Sequence, residues 1–97
     1  MNSWHNKSTD LLCEAMLQLK TKEECYAFLE DVCTIKEALD MSRRIQVAKL
    51  LSEGENHASV GRQTGASSAT ISRVKKSFEY GAGGYKKVIE RLNKEND

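Results

Sequence analysis

His57–Ser77 reads HASVGRQTGASSATISRVKKS, and its spacing predicts two short helices folded around a glycine turn. Val60, Thr64, Ile71 and Val74 recur at helical intervals and would close a small shared core. Gly61 is small enough for close helix contact, and Gly65 stands where the first helix must end in a left-handed residue. Ser67 can cap the second helix. Its first turn then offers Ser68, Ala69 and Thr70, short side chains that let a helix N-terminus approach base edges. From Ala58 to Phe78 the only charged residues are Arg62, Arg73, Lys75 and Lys76. Four cations without a carboxylate suit phosphate, so residues 57–78 read as a helix-turn-helix. A helical hairpin that merely packs would share the small residues and some of the lysines. The coincidence of turn glycine, β-branched core positions and missing acids favours the DNA-reading interpretation.

The rest of the chain is consistent with an all-α domain. There are 97 residues, 30% of them charged and 6% aromatic, with no proline. That argues against a sheet sandwich or a proline-rich linker. A single domain of this size, residues 1–97, has limited capacity to bury surface, so association with a second copy would add to its stability. The net charge of +1 hides an asymmetry. Residues 1–40 carry four Lys/Arg against eight Asp/Glu, and residues 41–97 carry eleven against six. The basic excess therefore lies in the half that contains the hairpin, where it can steer a polyanion.

Six helices are expected. Ser8–Leu19 places Leu11, Leu12, Ala15, Met16 and Leu19 on one face, with Ser8, Thr9 or Asp10 as the cap. Thr21-Lys-Glu-Glu24 is a capping box ahead of Cys25, Phe28, Leu29 and Val32. Thr34-Ile-Lys-Glu37 repeats that signature before a long helix running to Glu53 and ending at Gly54, with Ile35, Leu39, Ile45, Ala48, Leu50 and Leu51 among its apolar positions. Apolar coverage over more than one stripe implies contacts on more than one side, including a second subunit. After the hairpin, Gly81-Ala-Gly-Gly84 breaks the chain. Tyr85, Val88, Ile89 and Leu92 then mark a final helix leading into the polar tail Asn93–Asp97. Residues of about 8–53 and 85–95 are thus the expected dimerisation helices.

Cys13, Cys25 and Cys33 form no CxxC and sit in apolar helical runs, and His5 and His57 add no ligand spacing. Reduced core cysteines in a cytoplasmic protein, with no bound metal, are the expectation. No apolar run approaches the length of a membrane span. Catalysis is not expected either. No nucleophile and base share a predicted site, and no phosphate-binding glycine loop follows a strand.

The run CTIKEALDMSRRIQVAKLLSEGENHASVGRQTGASSATISRVKKSFEYGAGGY, Cys33–Tyr85, resembles the Trp repressor-like family, in particular its YerC/YecD branch of bacterial regulators. The preceding ECYAFLEDVC resembles that branch as well. The resemblance implies an all-helical, intertwined dimer in which the outer helices of both chains form one core and each hairpin projects as a reading head. It also implies an effector pocket, with Arg43 and Arg73 matching the two arginines that clamp an amino acid in the family's tryptophan-sensing member, and Ser77 matching a polar position near the ligand. Where that member has a small glycine this chain has Val74, whose branched side chain would fill space an indole needs. No cofactor is expected, and a small-molecule co-repressor implied by the resemblance would not be tryptophan.

The expected function is that of a sequence-specific, DNA-binding transcriptional regulator, a repressor, acting on double-stranded DNA as a homodimer. Ser68, Ala69 and Thr70 would face base edges, while Arg62, Lys75 and Lys76 would hold phosphates and Ser67 would cap and add a phosphate contact. Arg73 could serve DNA or effector. The alternative is a helical dimerisation module that binds a protein partner and uses the hairpin only for packing.

Overall fold

The computed structural model describes residues 3–95, so Asn96 and Asp97 of the expected polar tail lie outside the described residues. Those residues form six α-helices and no strand: α1 Lys7–Met16, α2 Lys22–Val32, α3 Ile35–Ser52, α4 His57–Thr64, α5 Ser68–Tyr80 and α6 Gly84–Glu95. The chain divides into two compact units, with the boundary inside α3 after Ala38.

In the first unit the helices are fixed locally, by their caps. The cap of α1 is Asn6, not Ser8, Thr9 or Asp10. Asn6 takes extended backbone angles, its side-chain oxygen accepts from the Thr9 N–H at 3.0 Å, and its own N–H donates to the Thr9 hydroxyl at 2.8 Å. Thr9 is the far half of a capping box whose near half the spacing of apolar residues did not mark. The helix also ends earlier than expected, at Met16. Gln18 N–H turns to the Ala15 carbonyl and Leu19 N–H to the Met16 carbonyl, which tightens the chain out of the α-helical pattern. At α2 the Thr21 hydroxyl accepts from Glu24 N–H at 3.1 Å, as expected. The Glu24 carboxylate accepts from Lys20 N–H at 2.9 Å, one residue before the cap. The third signature closes fully: Glu37 N–H donates to the Thr34 hydroxyl at 3.1 Å, and Thr34 N–H donates to the Glu37 carboxylate at 2.8 Å. No residue of α1 or α2 is buried.

The second unit owns the core. Val47 and Ala48 of α3, Val60 of α4, Ile71 and Val74 of α5, and Ile89 of α6 are buried together, with Leu50, Leu51, Ala66, Phe78 and Tyr85 packed around them. Each fully buried Val or Ile contributes about 1.5–3 kcal/mol relative to exposure. Three of the four residues expected to close the hairpin are in this cluster. Thr64, the fourth, is half-buried and serves the turn: its hydroxyl donates to the Val60 carbonyl at 2.8 Å and accepts from Ala66 N–H at 3.1 Å. One side chain thus bonds back to the carbonyl four residues earlier and satisfies a backbone N–H just beyond the end of α4.

Gly65 ends α4 with φ +71°, the left-handed conformation that its position required. Gly61 is different. A Cβ placed there would meet Ile71 Cδ1 at 3.6 Å, an ordinary contact, so the helices do not approach closely enough to demand glycine. At Gly81, which ends α5 two residues beyond the expected hairpin, a Cβ would run into the Ser77 carbonyl. That glycine is required for steric reasons although its φ is ordinary.

Candidate nucleic-acid interface

The hairpin presents the first turn of α5 as a polar, open surface. Ser67 takes extended angles as N-cap, and its hydroxyl accepts from Thr70 N–H at 3.1 Å. The same hydroxyl donates to the Thr70 hydroxyl at 3.0 Å, so Thr70 keeps its own hydrogen for an outside acceptor. Ser68 and Ala69 are exposed and Thr70 is half-buried. With Thr70 N–H bound to the cap side chain and Ile71 N–H to the Ser67 carbonyl, the earlier N–H groups of the turn concentrate the positive end of the helix dipole outward.

Arg62, Arg73, Lys75 and Lys76 are all exposed, and none has an ion-pair partner among the described residues. Unpaired surface cations are available to phosphates without a competing carboxylate to displace. The nearest acid on the sequence side of α4, Glu55, is engaged elsewhere. Its carboxylate accepts from the Ser59 hydroxyl at 2.8 Å and from the Gln63 amide at 2.7 Å.

Two neighbours of this surface have no signature in the sequence spacing. His57, the first residue of α4, places Nε2 3.0 Å from the Ser68 hydroxyl, the first residue of α5. Lys86 of α6 sets its ammonium 5.8 Å from the centre of the Phe78 ring, which brings a further cation beside the last turns of α5. Neither follows from periodicity. The one available signal was that His57 and Ser68 each begin a helix of the same hairpin.

The residues matched to an effector clamp are less united. Ser77 lines an open, apolar groove of about 390 Å³ with Ile45, Ala82, Gly84, Tyr85 and Val88, and neither Arg43 nor Arg73 is among its walls. Both arginines are exposed. Val74 is only 3% exposed and forms part of the core.

Comparison with known proteins places this surface in a family. The family model for the Trp repressor protein matches residues 7–93, and the chain therefore belongs to the Trp repressor family. That is a class of regulatory DNA-binding proteins built on a helix-turn-helix, and not of enzymes. The chain is similar to the uncharacterised protein YerC of Bacillus subtilis, at 43% identity over 86 residues that cover 89% of this chain and 83% of that protein. Among solved structures, a TrpR-like protein from Eubacterium eligens matches with a TM-score of 0.91 and 46% identity over 96% of each chain. A candidate Trp repressor from Staphylococcus aureus matches with a TM-score of 0.88 and 42% identity, covering 92% of this chain and 89% of that one. Among the described residues no helix is long and apolar enough to cross a membrane.

Proposed function

We propose that the protein is a sequence-specific transcriptional repressor that works in the cytoplasm as a homodimer, each subunit inserting α5 into the major groove of double-stranded DNA. The observation that carries this reading is the first turn of α5: short side chains at Ser68, Ala69 and Thr70, capped by Ser67 and flanked by unpaired cations. Thr70 would offer its hydroxyl hydrogen and methyl to base edges, while Arg62, Arg73, Lys75 and Lys76 would hold the backbone; Ser67, whose hydroxyl hydrogen goes to Thr70, would serve as the cap without the expected phosphate contact. Short side chains reach few edges, so bridging water and DNA shape would carry part of the specificity.

The homodimer is supported by α1, α2 and the start of α3. Leu11, Leu17, Tyr26, Val32, Ile35 and Leu39 are all more than half exposed. Large apolar side chains left open on capped helices are what a second copy would cover. Free tryptophan is not the expected effector, because Val74 occupies core space where an indole would have to enter. Overpacking of that kind costs about 1–3 kcal/mol. Arg43, Arg73 and Ser77 would then serve a smaller ligand or none. Calorimetry decides that point: micromolar tryptophan binding abolished by Arg43→Ala would restore a tryptophan sensor.

Selection of bound fragments from random duplex DNA, with and without an amino-acid mixture, tests the function itself. Enrichment of a palindrome is expected. Retention of no sequence, together with capture of DNA that does not respond to salt, would point instead to a protein-binding module with a structural hairpin.

A further inference from the structure

The His57–Ser68 hydrogen bond joins the first residues of the two helices that would face DNA, and it bears directly on what Ser68 can read. A serine hydroxyl carries one hydrogen and two lone pairs. If the imidazole Nε2 were bare, Ser68 would give its hydrogen to the ring and show only lone pairs outward. If Nε2 carries a hydrogen, Ser68 accepts from it and turns its own hydrogen out. The ring thus sets the polarity of the hydroxyl two positions before Thr70, whose own hydrogen is already directed outward because Ser67 donates to its oxygen at 3.0 Å.

We propose that His57 is a positioning residue which donates from Nε2 to Ser68, so that Ser68 and Thr70 together present two hydroxyl donors to acceptor edges in the major groove. The inference rests on the DNA-binding reading above. Guanine N7 and O6, thymine O4 and adenine N7 are acceptors such a pair can address, whereas the major-groove edge of cytosine offers only an amino group, which requires an acceptor. Phosphate oxygens at the groove edge also need donors, so a polyanion favours the arrangement with Nε2 protonated. His57 itself need not touch DNA. Its effect passes through the orientation of one hydroxyl.

The test uses the full chain with five sequences: wild type, His57→Ala, His57→Gln, Ser68→Ala and the double variant His57→Ala, Ser68→Ala. His57→Gln keeps a side-chain amide that can donate to Ser68. On the selected palindrome, wild type is expected to prefer guanine, thymine or adenine over cytosine at one position of each half-site. His57→Ala and Ser68→Ala should each relax that preference by about fivefold, as expected for loss of one short contact. His57→Gln should restore most of it, and the double variant should be no worse than Ser68→Ala alone. Binding to random duplex and its salt dependence should not change in any of them, and thermal unfolding should place all five within a few degrees of each other. A preference lost in Ser68→Ala but kept in His57→Ala overturns the proposal, as does a preference for cytosine that disappears in both. Imidazole nitrogen shifts in the free protein separate this failure from failure of the DNA reading. Nε2 should appear protonated and should move in Ser68→Ala whether or not DNA binds; a bare Nε2 contradicts the assignment.

Discussion

Leu17 is 80% exposed and Ile35 81%, whereas Ile71 is 1% exposed and Val60 is fully buried. All four are aliphatic and lie in or beside regular helices, yet residues 3–38 bury none of their side chains while residues 39–95 build the whole shared core. The difference separates two sources of helix formation. Asn6, Thr21 and Thr34 satisfy the orphan N–H groups at their helix starts whatever packs nearby, so α1 and α2 form from local bonds. In the hairpin, caps and burial act together. A capped helix with exposed apolar side chains has its geometry settled and its cover still to come, and a second copy is the cover we propose.

The most severe way to break that comparison is to charge the exposed row. Leu12→Asp is expected to abolish the dimer and most of the helical signal of the first unit, since an uncompensated charge in an apolar interface costs about 3–5 kcal/mol. Sedimentation and circular dichroism check it. A folded monomer of full helicity would show that residues 3–38 need no partner. On the other side of the comparison, Ile71→Ala should cost about 2–5 kcal/mol through transfer and cavity terms. Hydrogen exchange should show the loss at α4, α5 and α6, and loss confined to α1 would contradict the placement of the core.

Two glycines of one helix end sharpen the contrast between conformation and contact. Gly65→Ala must hold a left-handed residue and should lose about 1–2 kcal/mol. Gly61→Ala meets only an ordinary contact with Ile71 and should gain about 0.5–1 kcal/mol from reduced chain entropy in the unfolded state and better helix propensity. Denaturant midpoints moving in the same direction for both would refute the distinction. The smallest effect concerns Glu37, whose carboxyl is held below its ordinary value of 4.5 by the Thr34 backbone N–H and then by the Thr34 hydroxyl. A lowered carboxyl pKa means that the capping contribution is present above that ordinary value and is lost as pH falls through the lowered one. Amide protection factors at the start of α3, corrected for the intrinsic pH dependence of exchange, should therefore fall on acidification in wild type, and Glu37→Gln should remove that fall.

The hairpin was legible in the sequence because its demands are short-range. Gly65, Ser67, Val60, Ile71 and Val74 each answer a constraint set within a few residues, and all five stand where their spacing put them. The misplaced start of α1 has a similar explanation in reverse. Asn6 lies outside the apolar repeat that marked the helix, so periodicity could not reach it. Apolar pattern also could not tell Leu39 from Val47, two aliphatic residues of one helix of which the first is exposed and the second buried, because both satisfy helical spacing and only the packing of the second unit separates them. The His57–Ser68 bond joins residues eleven apart across a turn and has no periodic signature.

DNA affinity measured against salt, for wild type and for the Lys75→Ala, Lys76→Ala double variant, tests the central claim most directly. Neutralising phosphates releases counterions, so the logarithm of the wild-type association constant should fall linearly with the logarithm of salt concentration. The slope should flatten by about 0.9 for each phosphate contact removed. A wild-type affinity indifferent to salt, or a double variant with an unchanged slope, would contradict the assignment of this face of the hairpin to DNA.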